Sequence, residues 1–333
     1  MAVRVALDAV GGDHAPGVVI EGAVQALHQS EGDLEVVLIG PEETVRAALA
    51  EHDTDGLALD VLDAPEVIGM AESPTAALKG KPRSSIHVGL GAHKQGAVDA
   101  FASAGNTGAM MAASLFTLGR LPGVSRPALP GYFPTTQSFS IVIDVGANVD
   151  SKPEHLVQFA QMGQVYAERV MHREGATVGL LNVGEEPGKG NDAAKAAYDL
   201  LAETGGLNFV GNMEGRDIMH HAADVIVCDG FVGNIVLKLG ESLRTALPEL
   251  IGAEIQRQGL DADEVGLIKR VFGNVTKPFN YEEYGGVPLL GVSGVAVVGH
   301  GGSSARAIAT MVRRAAECAR QDVPAAIAAA LAD

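Results

Sequence analysis

The feature that most constrains this chain is a repeated alternation: short aliphatic runs, most closed by Gly, Asp or Asn, are each followed by a segment with helical spacing. A strand that returns parallel to its neighbour needs a crossover of a dozen or more residues, usually a helix, so the rhythm belongs to βα units. The runs are Val3 to Leu7, Val36 to Ile39, Ala58 to Leu62, Ala100 to Ser103, Ser140 to Ile143, Thr177 to Leu181, Asn208 to Gly211, Val225 to Cys228 and Val295 to Val298. Helical patterning covers 17–29, 42–51, 106–119, 153–172, 191–203, 233–247 and 303–319. The predicted fold class is α/β, a mostly parallel sheet with helices on both faces. No repeat, low-complexity tract or Pro/Gly/Ser linker interrupts the pattern, so residues 1–333 read as one composite domain.

The strand rhythm stops once, over residues 234–280, which read as an inserted helical element. Leu243, Leu247, Leu250, Ile251 and Ile255 form an apolar stripe there that fits a core-facing surface better than a membrane-facing one. Pro248 is predicted to break or restart the helix.

Composition removes several function classes. Forty-two glycines, 4% aromatics and no tryptophan suit tight strand-to-helix turns around an aliphatic interior. A formal charge of -17 argues against nucleic-acid binding and against adhesion to an anionic membrane by net charge, both of which need clustered Lys and Arg. Cys228 and Cys318 lie in apolar or helical settings without metal-ligand spacing, so neither a disulfide framework nor a zinc site is expected, and a reducing cytoplasm fits. The start, "MAVRVALDAV", lacks the apolar core of a signal peptide, and the weakly polar run 286–299 is too short and glycine-rich to span a bilayer. The expectation is a soluble or at most peripheral protein.

In doubly wound sheets ligands collect outside the carboxyl ends of the strands, where loops converge and helix N-termini offer N–H groups to anions. "VALDAVGGDHAPG" (5–17) has neither the glycine spacing of a dinucleotide turn nor the partners of a metal site. Its Gly11 and Gly12 let the backbone turn close to a small anion, with Asp8, Asp13 and His14 beside it. "SAGNTGAMMA" (103–112) offers Ser103, Gly105, Asn106, Thr107 and Gly108 as an anion cradle or, equally, as a helix cap. In "DVGANVD" (144–150), Asp144 and Asn148 either bind ligand or hold the turn. "NVGEEPGKGN" (182–191) sets Glu185, Glu186, Lys189 and Gly190 in one loop, which for an arbitrary lysine is usually a solvated one. "CDGFVGNIVLK" (228–238) places Asp229, Gly233 and Asn234 at a helix start, where Asn234 also fits an N-cap. "VGHGGSSARAI" (298–308) brings His300, Ser303 and Ser304 together without the G-x-S-x-G elbow of a serine nucleophile. No Walker motif is present, and neither cofactor nor metal is expected.

In order and combination, "ALDAVGGDHAP", "SAGNTGAMMA", "RLPGVSRPAL", "DVGANVDSKPEHLVQFAQMG", "NVGEEPGKGN", "DGFVGN" and "EYGGVPLLGV" followed by "HGGSS" closely resemble the bacterial acyl-acyl carrier protein:phosphate acyltransferases that begin phospholipid synthesis. The resemblance extends over residues 3 to about 308. It implies a fold like that of phosphate acetyltransferases and isopropylmalate-type dehydrogenases, with a helical hairpin inserted. It also implies transfer of a fatty acyl group from acyl carrier protein to inorganic phosphate, a homodimer, and delivery of acyl phosphate to a membrane glycerol-3-phosphate acyltransferase. By that resemblance Lys189 neutralises phosphate or the tetrahedral oxyanion and Asn234 orients one of them. Asp8, Gly11, Gly12, Asp13 and His14 line the same pocket, and Ser103 to Gly108 form a second wall. The chemistry needs no metal or covalent nucleophile, because phosphate is already anionic and a thiol leaves readily; oriented donors carry it. Residues 231–280 balance six basic against six acidic side chains, and Arg257, Lys269 and Arg270 are candidates for docking the acidic carrier.

Two other classes remain open at this level. A metal- and nicotinamide-dependent dehydrogenase of similar fold would change cofactor absorbance with hydroxy acids. A non-catalytic carrier- or membrane-docking scaffold would need the hairpin but neither Lys189 nor Asn234.

Overall fold

A computed structural model of the chain describes residues 2–277, 282 and 284–332. Two sheets carry the fold. The first orders its strands β10 (Gly286–Pro288), β11 (Ala296–Gly299), β4 (Ala100–Ser103), β1 (Val3–Asp8), β2 (Leu34–Gly40) and β3 (Leu59–Asp63). The second orders β5 (Pro130–Pro134), β6 (Phe139–Ile143), β9 (Val225–Val227), β7 (Val178–Asn182) and β8 (Phe209–Glu214). Pairing is parallel throughout except for β10 against β11 and β5 against β6, the antiparallel edge of each sheet. The two edges meet where Ala128 and Leu290 exchange backbone hydrogen bonds of 3.0 Å in both directions. The single sheet expected from the sequence is thus two sheets abutting at their antiparallel edges.

Side chains alternate across a strand, and here both faces are covered. Val5 and Leu7, Ile141 and Ile143, Val225 and Val227 join one apolar layer, with Ile20 of α1 (Gly17–His28) and Phe159 and Tyr166 of α6 (Pro153–Val170). Ala6, Val142 and Ile226 face the other layer, with Phe101, Ile86 of α4 (Ser85–Lys94) and Met110 of α5 (Thr107–Thr117). Both layers draw on both sheets, and this two-sided burial explains why the strands read as aliphatic runs rather than as alternating ones. Further helices are α2 (Glu42–Leu49), α3 (Pro74–Gly80), α7 (Asp192–Glu203), α10 (Ala305–Arg320) and α11 (Val323–Ala330).

The inserted element consists of α8 (Gly230–Gln258) and α9 (Ala262–Thr276). Gly259 ends α8 in a left-handed conformation (φ 66°), where glycine carries no steric penalty, and its N–H bonds the Ile255 carbonyl. Asp261 then caps α9 in a reciprocal box with Glu264. Two expectations are corrected. The helix continues through Pro248 instead of breaking there; the surrounding turn is exposed, so water can serve the carbonyl that loses its donor. The stripe from Leu243 to Ile255 is not core in this chain, because the only buried residues of α8 are Gly230, Gly233 and Gly240. Residues 278–280 of the predicted insert, and Glu283 of "EYGG", lie outside the described residues.

A histidine locks the first sheet. Val295 N–H donates to His93 Nε2 at 2.8 Å, while Nδ1 donates to the Val98 carbonyl at 3.0 Å, which requires the neutral ring. Burial holds the His93 pKa below its ordinary value. Between the folded and unfolded pKa values the unfolded chain binds the extra proton, so this contribution is complete above about pH 6.5 and is lost as pH falls toward the folded value. Denaturation of His93→Ala is expected to show a cost of about 1–3 kcal/mol at pH 7.5 that narrows at pH 5.5. A gap equal at both pH values would refute the neutral lock.

Candidate active site

At the carboxyl end of the second sheet, β6 runs into the turn 144–150. The Asp144 carboxylate is fully buried and accepts from the backbone N–H groups of Leu129 (3.0 Å), Ala147 (3.1 Å) and Asn148 (2.6 Å), and from Asn148 Nδ2 (3.0 Å). Burial raises its pKa against the lowering effect of these four donors. Asn148 also donates to the Pro127 carbonyl. Asp144 and Asn148 therefore hold the turn, the structural alternative left open by the sequence. The first turn of α8 docks on this platform through glycine: a Cβ at Gly230 would meet the Asn148 carbonyl and Asp144 Oδ2, and one at Gly233 would overlap the Asp144 carbonyl. Asp229 is the N-cap, accepting from Val232 N–H at 2.8 Å, so Asn234 is released from that role.

Asn234 instead faces a cavity of about 360 Å³ between the two sheets. Its polar end is formed by Thr107, Gly146, Asn234 and His300; its apolar walls include Met111, Leu129, Tyr132, Phe133, Leu237 and Val298. The asparagines of the neighbouring loops are committed. Asn106 Oδ1 caps α5 through Ala109 N–H, and its amide donates to the carbonyls of Gly69, Met70 and Glu72. Asn182 donates to Asn212 and to the Lys189 carbonyl, and Asn191 caps α7. The Asn234 amide has no hydrogen-bond partner among the described residues, and it points where a ligand would supply one. The expectation that Asn106 offers its amide to an anion is corrected accordingly: three carbonyls already claim it.

At the end of the first sheet, the buried Asp8 carboxylate accepts from Ser103 Oγ (2.7 Å) and Val10 N–H (3.2 Å), and Ser103 Oγ accepts from Gly105 N–H (3.0 Å). Burial raises the Asp8 pKa. Gly11 has no room for a Cβ beside Asp8 and the Gly105 nitrogen. Asp13 N–H donates to the Gly301 carbonyl, tying this loop to the one that presents His300. Gly11, Gly12 and His14 line a small crevice with Ala104, Gly301 and Ser303, next to the main cavity but not part of its wall; Gly108 packs on Pro74.

Lys189 occupies the loop after β7, one strand over from β9 and α8. Its half-exposed ammonium lies 3.8 Å from Glu186 Oε2, while Glu185 faces Arg216 at 3.9 Å. Gly190 (φ 92°) leaves no space for a side chain beside Asn182 Oδ1. None of these four residues lines the cavity. The structure thus brings Asn234, His300 and Thr107 to the wall of one cavity and leaves Lys189, Glu185 and Glu186 on an adjacent loop. Arg257, Lys269 and Arg270 are exposed on the hairpin, Arg257 paired with Glu254 at 2.6 Å.

Comparison with known proteins places this site in a family. A family model described as "Fatty acid synthesis protein" matches residues 3–326. A phosphate acyltransferase from Salinibacter ruber is 54% identical over 97% of this chain and 96% of its own length; one from Chlorobaculum parvum is 47% identical over 99% of each. The chain belongs to the phosphate acyltransferase family.

The fold is shared more widely. EutD phosphotransacetylase from Staphylococcus aureus superposes with a TM-score of 0.61 at 15% identity, covering 96% of this chain and 94% of that one. A 4-hydroxythreonine-4-phosphate dehydrogenase from Klebsiella pneumoniae gives 0.57 at 15%, covering 96% and 98%. The α/β class and the expected likeness to phosphate acetyltransferases are borne out. Among the described residues no group of three or more His, Cys, Asp or Glu side chains could hold a metal ion, and no helix is long and apolar enough to cross a membrane. Ser303 donates to the His300 carbonyl and Ser304 caps α10, so neither serine is aimed at His300 as a nucleophile.

One wall of the phosphate acyltransferase cavity, Pro130 to Pro134, lies outside every motif singled out in the sequence. "PGYFP" is bracketed by prolines, and proline in a strand signals an edge, which was the available clue.

Proposed function

We infer that the chain moves a fatty acyl group from acyl carrier protein to inorganic phosphate, giving acyl phosphate for phospholipid synthesis. The observation that carries this reading is the apolar cavity whose polar end presents the uncommitted Asn234 amide beside His300 and Thr107. A phosphate oxygen attacks the thioester carbonyl, the tetrahedral oxyanion collapses, and the carrier's thiolate leaves to take up a proton. Asn234 donates to phosphate or to the oxyanion. Lys189, after leaving Glu186, neutralises the incoming phosphate; its exposure makes that movement inexpensive. Asp8, Asp144 and their glycine turns shape the loops, and Gly11, Gly12, Asp13, His14 and the 103–108 loop form the adjoining wall.

The same reading includes a homodimer working in the cytoplasm, peripheral at the membrane's inner face, with acyl phosphate passed to a membrane glycerol-3-phosphate acyltransferase. In support, α9 buries no residue within the chain, and Leu267, Val271 and Val275 recur on one of its faces with exposures of 51%, 53% and 61%. A face of this kind is usually covered by a partner. Arg257, Lys269 and Arg270 then serve the acidic carrier, and residues 1–333 act as one composite domain because both apolar layers run through both sheets.

The test is phosphate-dependent release of carrier thiol from long-chain acyl carrier protein, with acyl phosphate trapped by hydroxylamine. Release with trapped acyl hydroxamate is expected; no release above background from folded protein would end the acyltransferase reading. Light scattering of the same sample giving the 34.2 kDa of one chain would end the dimer.

A further inference from the structure

The cavity has a direction. β5 is antiparallel to β6, with Pro130 opposite Ile143 and Pro134 opposite Phe139, so its first residue sits at the Asp144 turn and its last at the far end of the sheet. All five residues of β5 line the cavity, which therefore runs about 14 Å away from the polar end, at about 3.4 Å per residue step. One face of α8 lines it alongside, through Asn234, Leu237, Lys238 and Glu241, the spacing of a single helical stripe.

Strand and helix close on each other at one point. A Cβ on Gly240 would lie 2.7 Å from Phe133 Cε2 and 3.2 Å from Cζ, so the ring rests on the bare helix backbone as closely as glycine allows. Both residues are buried, and both belong to the cavity wall. Gly240 is six residues beyond Asn234, about 9 Å along the helix. On the polar-end side of this contact the wall includes Tyr132, whose ring stacks on Tyr284 at 4.5 Å and whose hydroxyl meets that of Tyr166 at 2.5 Å.

We propose that this cavity binds the acyl chain with its carbonyl at Asn234, and that Phe133 seated on Gly240 is the constriction that decides which chain lengths are accepted. The proposal rests on the acyl-transfer reading above. With C–C bonds of about 1.5 Å a zigzag chain advances roughly 1.3 Å per carbon, so about seven carbons fit between Asn234 and the ring. An octanoyl chain ends at the constriction; a palmitoyl chain must pass or displace it.

The experiment compares kcat/KM for palmitoyl and octanoyl acyl carrier protein in wild type, Phe133→Leu, Phe133→Ala and Gly240→Ala. The palmitoyl-to-octanoyl ratio is expected to rise about tenfold when the ring is cut back and to fall by a similar factor when Gly240 gains a methyl group, the scale on which single methylenes discriminate in an apolar pocket. Phe133→Leu keeps a large apolar side chain and serves if the alanine variant does not fold. Ratios within twofold of wild type in folded Phe133→Leu and Gly240→Ala would overturn the constriction. Absence of turnover by wild type with either substrate would instead overturn the acyl-transfer reading, so the two failures are separable.

Discussion

Gly233→Ala is expected to be the most damaging single methyl group that can be added to this protein. Its Cβ would fall inside contact distance of the Asp144 carbonyl oxygen and 3.0 Å from Cys228 Sγ. Neither neighbour can yield: Asp144 is fixed by four donors, and Cys228 is buried in the core with its Sγ directed at the same carbonyl. The first turn of α8 must therefore lift off the turn, which overpacking data put at the upper end of roughly 1–3 kcal/mol. Asn234 is the next residue and moves with it. Expected is a clear fall in melting temperature together with at least a tenfold loss of kcat, since displacements near 1 Å are costly to positioned groups. Gly252→Ala, on the same helix with open space around it, serves as the control and should be neutral or stabilising by about 0.5–1 kcal/mol through helix propensity. Equal behaviour of the two variants would show that α8 does not depend on its seat.

Asn234→Ala is the second. The side chain is exposed and unpartnered among the described residues, so its removal should leave the melting temperature within a degree or two of wild type. If the amide donates to the developing oxyanion, kcat falls by about 10²–10³, the usual cost of losing one such donor. Lys189→Ala should differ in kind. The lysine stands outside the cavity wall and meets phosphate by charge, so its loss should appear chiefly as a raised KM for phosphate. Steady-state kinetics with phosphate varied at saturating acyl carrier distinguishes them. An Asn234→Ala enzyme with wild-type kcat would remove that residue from the reacting centre.

The parts of the fold that were legible share a cause. Ala100 to Ser103 and the other central parallel strands, β1, β2, β6, β7 and β9, are mostly buried on both faces, so hydrophobicity alone marks them. Short edge strands such as "PGYFP" and "GVP" carry proline and little aliphatic signal, and neither was recognisable without the partner strand against which each one pairs. Within the inserted element read over 234–280 the bounds of α9 were not legible, because none of its residues is buried and its start is marked only by the Asp261–Glu264 box.

For the site, residue chemistry was most ambiguous at the loop asparagines, each of which could cap a turn or serve a ligand. Asn106 and Asn234 follow the same kind of strand-to-helix glycine loop, yet one is consumed by three carbonyls of the 69–72 segment and the other faces the cavity. What separates them is Asp229, which takes the cap and makes Asn234 the fifth residue of the helix.

By itself the sequence determined the α/β class, the family and the inserted helical element, because these depend on local periodicity, turn chemistry and motif order. Only the tertiary structure decided that two sheets meet at their antiparallel edges, that the cavity lies between them along β5, and that Asn234, Thr107 and His300 share its polar end. Those facts rest on contacts between segments far apart in sequence, such as Ala128 with Leu290, and close approaches such as Gly233 on Asp144 or Gly240 on Phe133 leave no trace in local pattern beyond the glycine itself.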